Sequence, residues 1–210
     1  EETLTTKNVY AIKPVTMLVN YMEIGRNRLF LPYALLAIGP PLGLSAFLSG
    51  SSAVLIGSYG LDPATFSLFF AMVMGSNTIA AFANGRLVIR FGFAAMLMTG
   101  TLICAVAGSI ELGLALSGVS SVWAIIAPMM AYMVGMALIQ PPAQAGALVP
   151  FPHRAGAASS LIGIMQGLLS TISSAVIGLM PNESAIPMAS VAAIAGLSIL
   201  SVYFLALRRL

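Results

Sequence analysis

Cutting the chain at its charged residues and its single histidine leaves six long uncharged runs, 29–61, 63–85, 91–110, 112–152, 155–182 and 184–207, each at least 20 residues long. A helix crossing the ~30 Å hydrocarbon core of a bilayer rises ~1.5 Å per residue and needs about 20 mostly apolar positions. The runs therefore predict six spanning helices, near 30–56, 65–84, 93–114, 120–142, 157–179 and 186–207. A membrane β-barrel does not fit, because its strands alternate apolar and polar over ~10 residues, whereas Ala124 to Leu138 is apolar on every side. Ahead of the first span, residues 1–28 are mixed and moderately polar, with Pro14 and an amphipathic stretch from Val15 to Ile24. That segment suits an interfacial helix on a membrane surface, or a linker from further helices upstream.

Composition strengthens this picture. The 210 residues are 59% hydrophobic and 7% charged, with a mean hydropathy of +1.00. Water-soluble proteins carry about 25% charged residues, so most of this surface must face lipid. One cysteine, Cys104, rules out a disulfide framework or a CxxC metal site, and the lone His153 rules out a histidine-rich metal or haem site. No cofactor is expected. A net charge of +3, carried by scattered arginines, gives no basic patch for nucleic acid.

The signs of the charges set an orientation. Lys7, Lys13, Arg26 and Arg28 precede the first span, Arg86 and Arg90 fall in the loop after the second, Arg154 in the loop after the fourth, and Arg208 and Arg209 in the tail. The other three loops hold only Asp62, Glu111 and Glu183. With every cation on alternate loops, the positive-inside rule predicts cytoplasmic termini. The three acids read as solvated residues at outer helix ends, so no carboxylate suited to a proton relay is expected within the spans.

Polar side chains inside the spans recur at helical spacing. The fifth span carries Ser159, Gly163, Gln166, Ser170 and Ser173 at steps of four, three, four and three, and the second carries Ser67, Phe70, Met74, Asn77, Ala81 and Asn84 in the same way. The fourth has Met129, Met133, Met136 and Gln140 on one face, with Tyr132 beside it. Such faces avoid lipid, and two readings fit them. Small residues and hydroxyls serve helix packing, the reading favoured for Ser170, Ser173 and Ser174. A primary amide has four hydrogen-bonding positions to satisfy, which favours a water-accessible cavity for Asn77 and Gln166. Methionines fill cores, and also line sites that adapt to varied apolar ligands. In the third span Gly100, Cys104 and Gly108 form a ridge of small residues for close helix contact.

Helix breakers mark the first and fourth spans. Pro40 and Pro41 follow Gly39, and each removes a backbone donor, so a kink or break is expected there. Pro128, Pro141 and Pro142 make the fourth span bendable as well. The sixth span has almost no polar side chain beyond Ser190, Ser198 and Ser201 and reads as peripheral. An enzyme is not expected: His153 sits in a turn, away from any membrane serine, and there is no carboxylate pair, phosphate loop or metal cluster.

Particular residues resemble a known family. Arg28 to Leu61, with Tyr33-Ala34-Leu35, Ser49-Gly50-Ser51-Ser52-Ala53-Val54-Leu55 and Tyr59-Gly60-Leu61, is similar to the seventh helix of Bcr/CflA-type multidrug exporters of the major facilitator superfamily. Asn84-Gly85-Arg86-Leu87 with Arg90 resembles that family's loop between helices eight and nine. Pro152-His153-Arg154-Ala155-Gly156-Ala157-Ala158-Ser159, then Gly163 and Gln166, resembles its passage from helix ten into helix eleven, and Glu2-Thr3-Leu4 resembles the close of helix six.

The resemblance implies an all-α membrane protein in which 29–210 is the carboxy-terminal six-helix half of a twelve-helix transporter and 1–28 a cytoplasmic linker or interfacial segment. It implies proton-coupled export of small amphipathic drugs or metabolites across the inner membrane by alternating access, with protons, the bilayer and a missing amino-terminal half as partners. By position the first, second, fourth and fifth spans would line the substrate cavity and the third and sixth would sit outside. The coupling carboxylate would belong to the missing half. Phe47, Ser51, Asn77, Tyr132, Met133 and Gln166 are the candidate cavity residues, and Pro40, Pro41, Arg86 and Arg90 the candidate gating and loop residues. The alternative is a self-contained six-helix protein acting as a homodimeric channel or non-transporting scaffold.

Overall fold

A computed structural model describes residues 14–180 and 184–207. Its elements, all helical, are α1 (Pro14–Gly25), α2 (Phe30–Ser52), Pro63–Leu116, α5 (Trp123–Leu148), α6 (Ala155–Leu179) and α7 (Ile186–Val202). Wider π-type turns extend α2 over Ala53–Ser58 and α7 over Tyr203–Leu207. Five of these stretches are long and apolar enough to span a bilayer. Pro63–Leu116, at 54 residues, is two helices in succession, because Gly92 breaks it with φ 82° and ψ 164°. We call the halves α3 (63–91) and α4 (93–116). That φ is strained for any residue with a Cβ, so glycine is what lets the chain turn here within one residue. Six spans result, α2 to α7.

Local chemistry starts the helices. Asn27 Oδ1 accepts from the backbone N–H groups of Leu29 and Phe30 at 2.9 and 3.2 Å, just ahead of α2. Asp62 caps α3, accepting from the Thr65 N–H at 2.9 Å, with Pro63 in the first turn, where its missing donor costs nothing. Hydrogen bonds from Thr65, its hydroxyl first and its N–H next, hold the Asp62 carboxyl below the usual carboxylate range.

Contacts between helices give their directions. Ser76 and Asn84 of α3 reach Met130 and Ala137 of α5, so these two run parallel. Gly100 and Cys104 of α4 meet Gly135 and Tyr132 of α5 in reverse order, and Gly108 and Cys104 meet Ala192 and Gly196 of α7 in reverse order too. Gly39 and Gly50 of α2 face Ile199 and Met188 of α7, whereas Leu42 and Ser45 follow Ser173 and Ser174 of α6 in the same sense. The spans therefore alternate up and down. The start of α2, the Gly92 break, the turn at 149–154 and the end of α7 share one end of the bundle, and Arg26, Arg28, Arg86, Arg90 and Arg154 all lie within two turns of it. Lys7, Lys13, Glu183, Arg208 and Arg209 lie outside the described residues. At the same end, α1 rests on the start of α6 through Arg154–Glu23 at 2.8 Å and Tyr21–Ser160 at 2.9 Å.

The core forms where small residues let backbones meet. A Cβ on Gly100 would lie 2.8 Å from the Gly135 carbonyl oxygen, one on Gly108 2.7 Å from that of Ala192, and one on Gly196 2.6 Å from that of Cys104. The ridge expected to serve one neighbour serves two, α5 and α7. Accordingly α7 is less peripheral than expected: Met188, Ala189, Ala192, Ala193, Ala195, Gly196 and Ile199 are buried, and only its opposite face is open.

Three expectations need correction. Of the kink or break expected near Gly39, the break is absent, since Phe30–Ser52 is one helix with Pro40 and Pro41 buried inside it. Proline 41 lacks the N–H that would bond the Ala37 carbonyl, and the Gln140 Nε2 donates to that oxygen instead, at 3.0 Å. The same device recurs in α5, where the Ala137 carbonyl freed by Pro141 accepts from Asn84 Nδ2 at 2.9 Å. Arg86 and Arg90 are not loop residues, because α3 stays helical to Gly92 and both arginines sit exposed on it. Glu111, read as a solvated outer residue, is buried inside α4 at 2% exposure, because the helix continues to Leu116 and turns this position inward.

Candidate functional site

The polar stripes separate on the folded chain into groups that are used and groups that are not. On α3, the Asn77 Nδ2 donates to the Met133 carbonyl at 3.0 Å and Ser76 Oγ to that of Met130 at 3.2 Å. On α6, Ser173 and Ser174 donate to the carbonyls of Leu42 and Ser45 on α2 at 3.3 and 3.5 Å, the packing role expected of them. Gln144 Nε2 donates to Gln140 Oε1 at 2.9 Å. Of the five amides in the spans, only that of Gln166 makes no hydrogen bond to the described residues, and it is partly exposed on α6. Serine 159, Gly163 and Gly167 open on the same helix, and a Cβ on either glycine would meet nothing within 4 Å.

The six candidate cavity residues are distributed unevenly. Phe47, Ser51, Tyr132 and Met133 are sealed in the core of this bundle, at 2% exposure or less, while Asn77 and Gln166 keep open surface. Phe47 stacks on Phe70 at 6.3 Å between ring centroids and Phe70 meets Phe66 at 6.1 Å, an aromatic seam joining α2 to α3. The Tyr132 hydroxyl points toward α2 at Gly43, where a Cβ would lie 2.6 Å from it, and it has no hydrogen-bond partner. Among the gating candidates, Pro40 and Pro41 are buried in α2, and Arg90 places its guanidinium carbon 5.3 Å from the Phe91 ring centroid.

Two helices are left with long open faces. α6 buries only Ala158, Ile162, Ser173 and Ile177 of its 25 residues, and α3 only Val73, Ala80 and Asn84. Ile79, Phe82, Ile89 and Leu168 are among the large apolar side chains more than half exposed on them. Among the described residues, no cluster of three or more acids, histidines or cysteines could hold a metal ion.

The chain is 29% identical to the multidrug resistance protein D of Escherichia coli over 167 residues, covering 79% of this chain and 42% of that protein. It is 29% identical to a bicyclomycin resistance protein homolog of Haemophilus influenzae over 204 residues, 91% of this chain and 48% of that one. With the chloramphenicol resistance protein of Pseudomonas aeruginosa it shares 32% over 143 residues, 67% of this chain and 34% of that one. The chain thus spans about half the length, or less, of the curated relatives it matches. No protein-family model matches it, and no solved structure matches it at comparable significance.

Proposed function

The chain belongs to the major facilitator superfamily, and from that premise we propose that it is the carboxy-terminal half of a proton-coupled exporter of the Bcr/CflA type. It is a multi-pass protein of the inner membrane. The cargo is a small amphipathic drug or metabolite, moved outward as two six-helix halves rock about a site between them. The arginine-bearing end faces the cytoplasm, by the positive-inside rule.

One observation carries this reading: α3 and α6, two of the three helices with stripes, are left open by the bundle, and α6 presents Gln166, whose amide makes no hydrogen bond to the described residues. An open face with a free amide and flexible apolar neighbours binds amphipathic ligands by area, with a few hydrogen bonds for orientation. Asn77 and Gln166 then face the cargo, while Phe47, Ser51, Tyr132 and Met133 back the wall. Pro40 and Pro41 lie in a helix able to bend, and Arg86 and Arg90 meet the cytoplasmic edge of the other half.

The test is drug-dependent proton flux by the full-length protein in proteoliposomes, with Gln166→Ala compared for resistance in cells at equal membrane level. Flux driven by at least one compound, and a changed resistance profile in the variant, are expected. Absence of drug-driven flux would overturn the exporter reading, and unchanged resistance to every compound would remove Gln166 from the site.

A further inference from the structure

Glu111 is the one buried acid among the described residues, and its Oε2 has no hydrogen-bond partner. It stands on the ridge of α4 that packs on α5 and α7, following Gly100, Cys104 and Gly108 at steps of four, four and three. Among the described residues, the groups around it supply no compensating charge. α7 carries no titratable side chain between Ile186 and Val202. Within α5 the only one is Tyr132, whose hydroxyl is itself unpartnered, and within α4 the only other is Cys104, whose Sγ lies 3.5 Å from the Tyr132 carbonyl. The described arginines cluster at the opposite end, and Glu111 lies roughly 28 Å beyond the Gly92 break at ~1.5 Å per residue.

An ionised carboxylate buried in a membrane bundle without a counter-ion or a donor is unfavourable, and such a group takes up a proton or a cation instead. A metal cation is disfavoured here, since no group of three or more ligating side chains gathers among the described residues. We propose that Glu111 is a proton-carrying site in the core of this half.

The carboxylate takes one proton from water at the turn after α4, forming a single O–H bond, and returns it to water when the contacts of α4 with α5 or α7 loosen. Leu116, the last residue of α4, is five positions on, roughly 7 Å along the axis, so the turn at that end is the near source. The contribution of this proton to transport rests on the exporter reading, whereas the protonated carboxyl does not.

Infrared difference spectra of the full-length protein in lipid vesicles separate the two. Wild type should show a carboxylic C=O component at neutral pH that E111Q removes and E111D displaces without deleting. Proton uptake coupled to cargo should fall in E111Q. If E111Q does not accumulate, the displaced band of E111D carries the assignment. No carboxylic band at neutral pH, or a band unmoved by either substitution, overturns the proposal. A band that E111Q removes, in a protein in which no compound drives proton flux, upholds the site and overturns the exporter reading alone.

Discussion

α6 and α7 both lean on α2, yet they are held in opposite ways. α7 buries seven of its 17 residues, almost all alanine or glycine apart from Met188 and Ile199, and brings its backbone against α4. α6 buries four of 25, and two of its serine hydroxyls donate to carbonyls of α2. In lipid, apolar burial gives helices little drive to associate, so close backbone approach is what fixes a contact. The helix with the fewer polar groups is therefore the better anchored, and the polar one is left with surface to meet something else.

The contrast breaks most sharply at glycine. Gly108→Val should destabilise the bundle by about 2 kcal/mol or more, since the added atoms meet the Ala192 backbone rather than a side chain that can move aside. Gly163→Ala on α6 should leave stability unchanged or slightly raised, because its Cβ would enter open space. Thermal unfolding in detergent checks both, and equal losses would erase the distinction between the two helices.

Next in size is the pairing of amides with proline-freed carbonyls. Asn84→Ala should cost about 1 to 3 kcal/mol by leaving the Ala137 carbonyl buried and unbonded. Adding Pro141→Ala restores a backbone N–H within α5, so the double variant should recover most of that loss. An additive double variant would show that Asn84 acts in some other way.

Smaller again is Gln166→Ala, whose effect on unfolding should stay within about 0.5 kcal/mol, as for an open position without a partner. The smallest belongs to the exposed pair that ties α1 to α6. Glu23→Gln should change stability by no more than about 0.3 kcal/mol, because both partners are more than half exposed, and its visible result should be faster hydrogen exchange in α1.

Much of this architecture was legible in the chain. Apolar runs cut at charges give six spans because lipid tolerates few charges, and the small ridge of the third span marks a close contact because side-chain size alone controls backbone approach. Which amides are used was not legible. Asn84 and Asn77 share a stripe, yet one is sealed against Ala137 and the other is half open, and only the register between α3 and α5 decides it. Glu111 escapes this reading because a charge between two apolar runs has the pattern of a loop. The signal that could have placed it was its position three residues after Gly108, on a face already marked for contact.

The Gly92 break also has a mechanical meaning. With a single residue joining α3 to α4, the junction behaves as a pivot and not as a tether: the outer rod can swing about two torsions, but it cannot slide lengthwise without dragging its neighbour. A lengthwise displacement of α3 would thus be passed on to the rod that carries the buried acid, whereas a tilt can be taken up at Gly92.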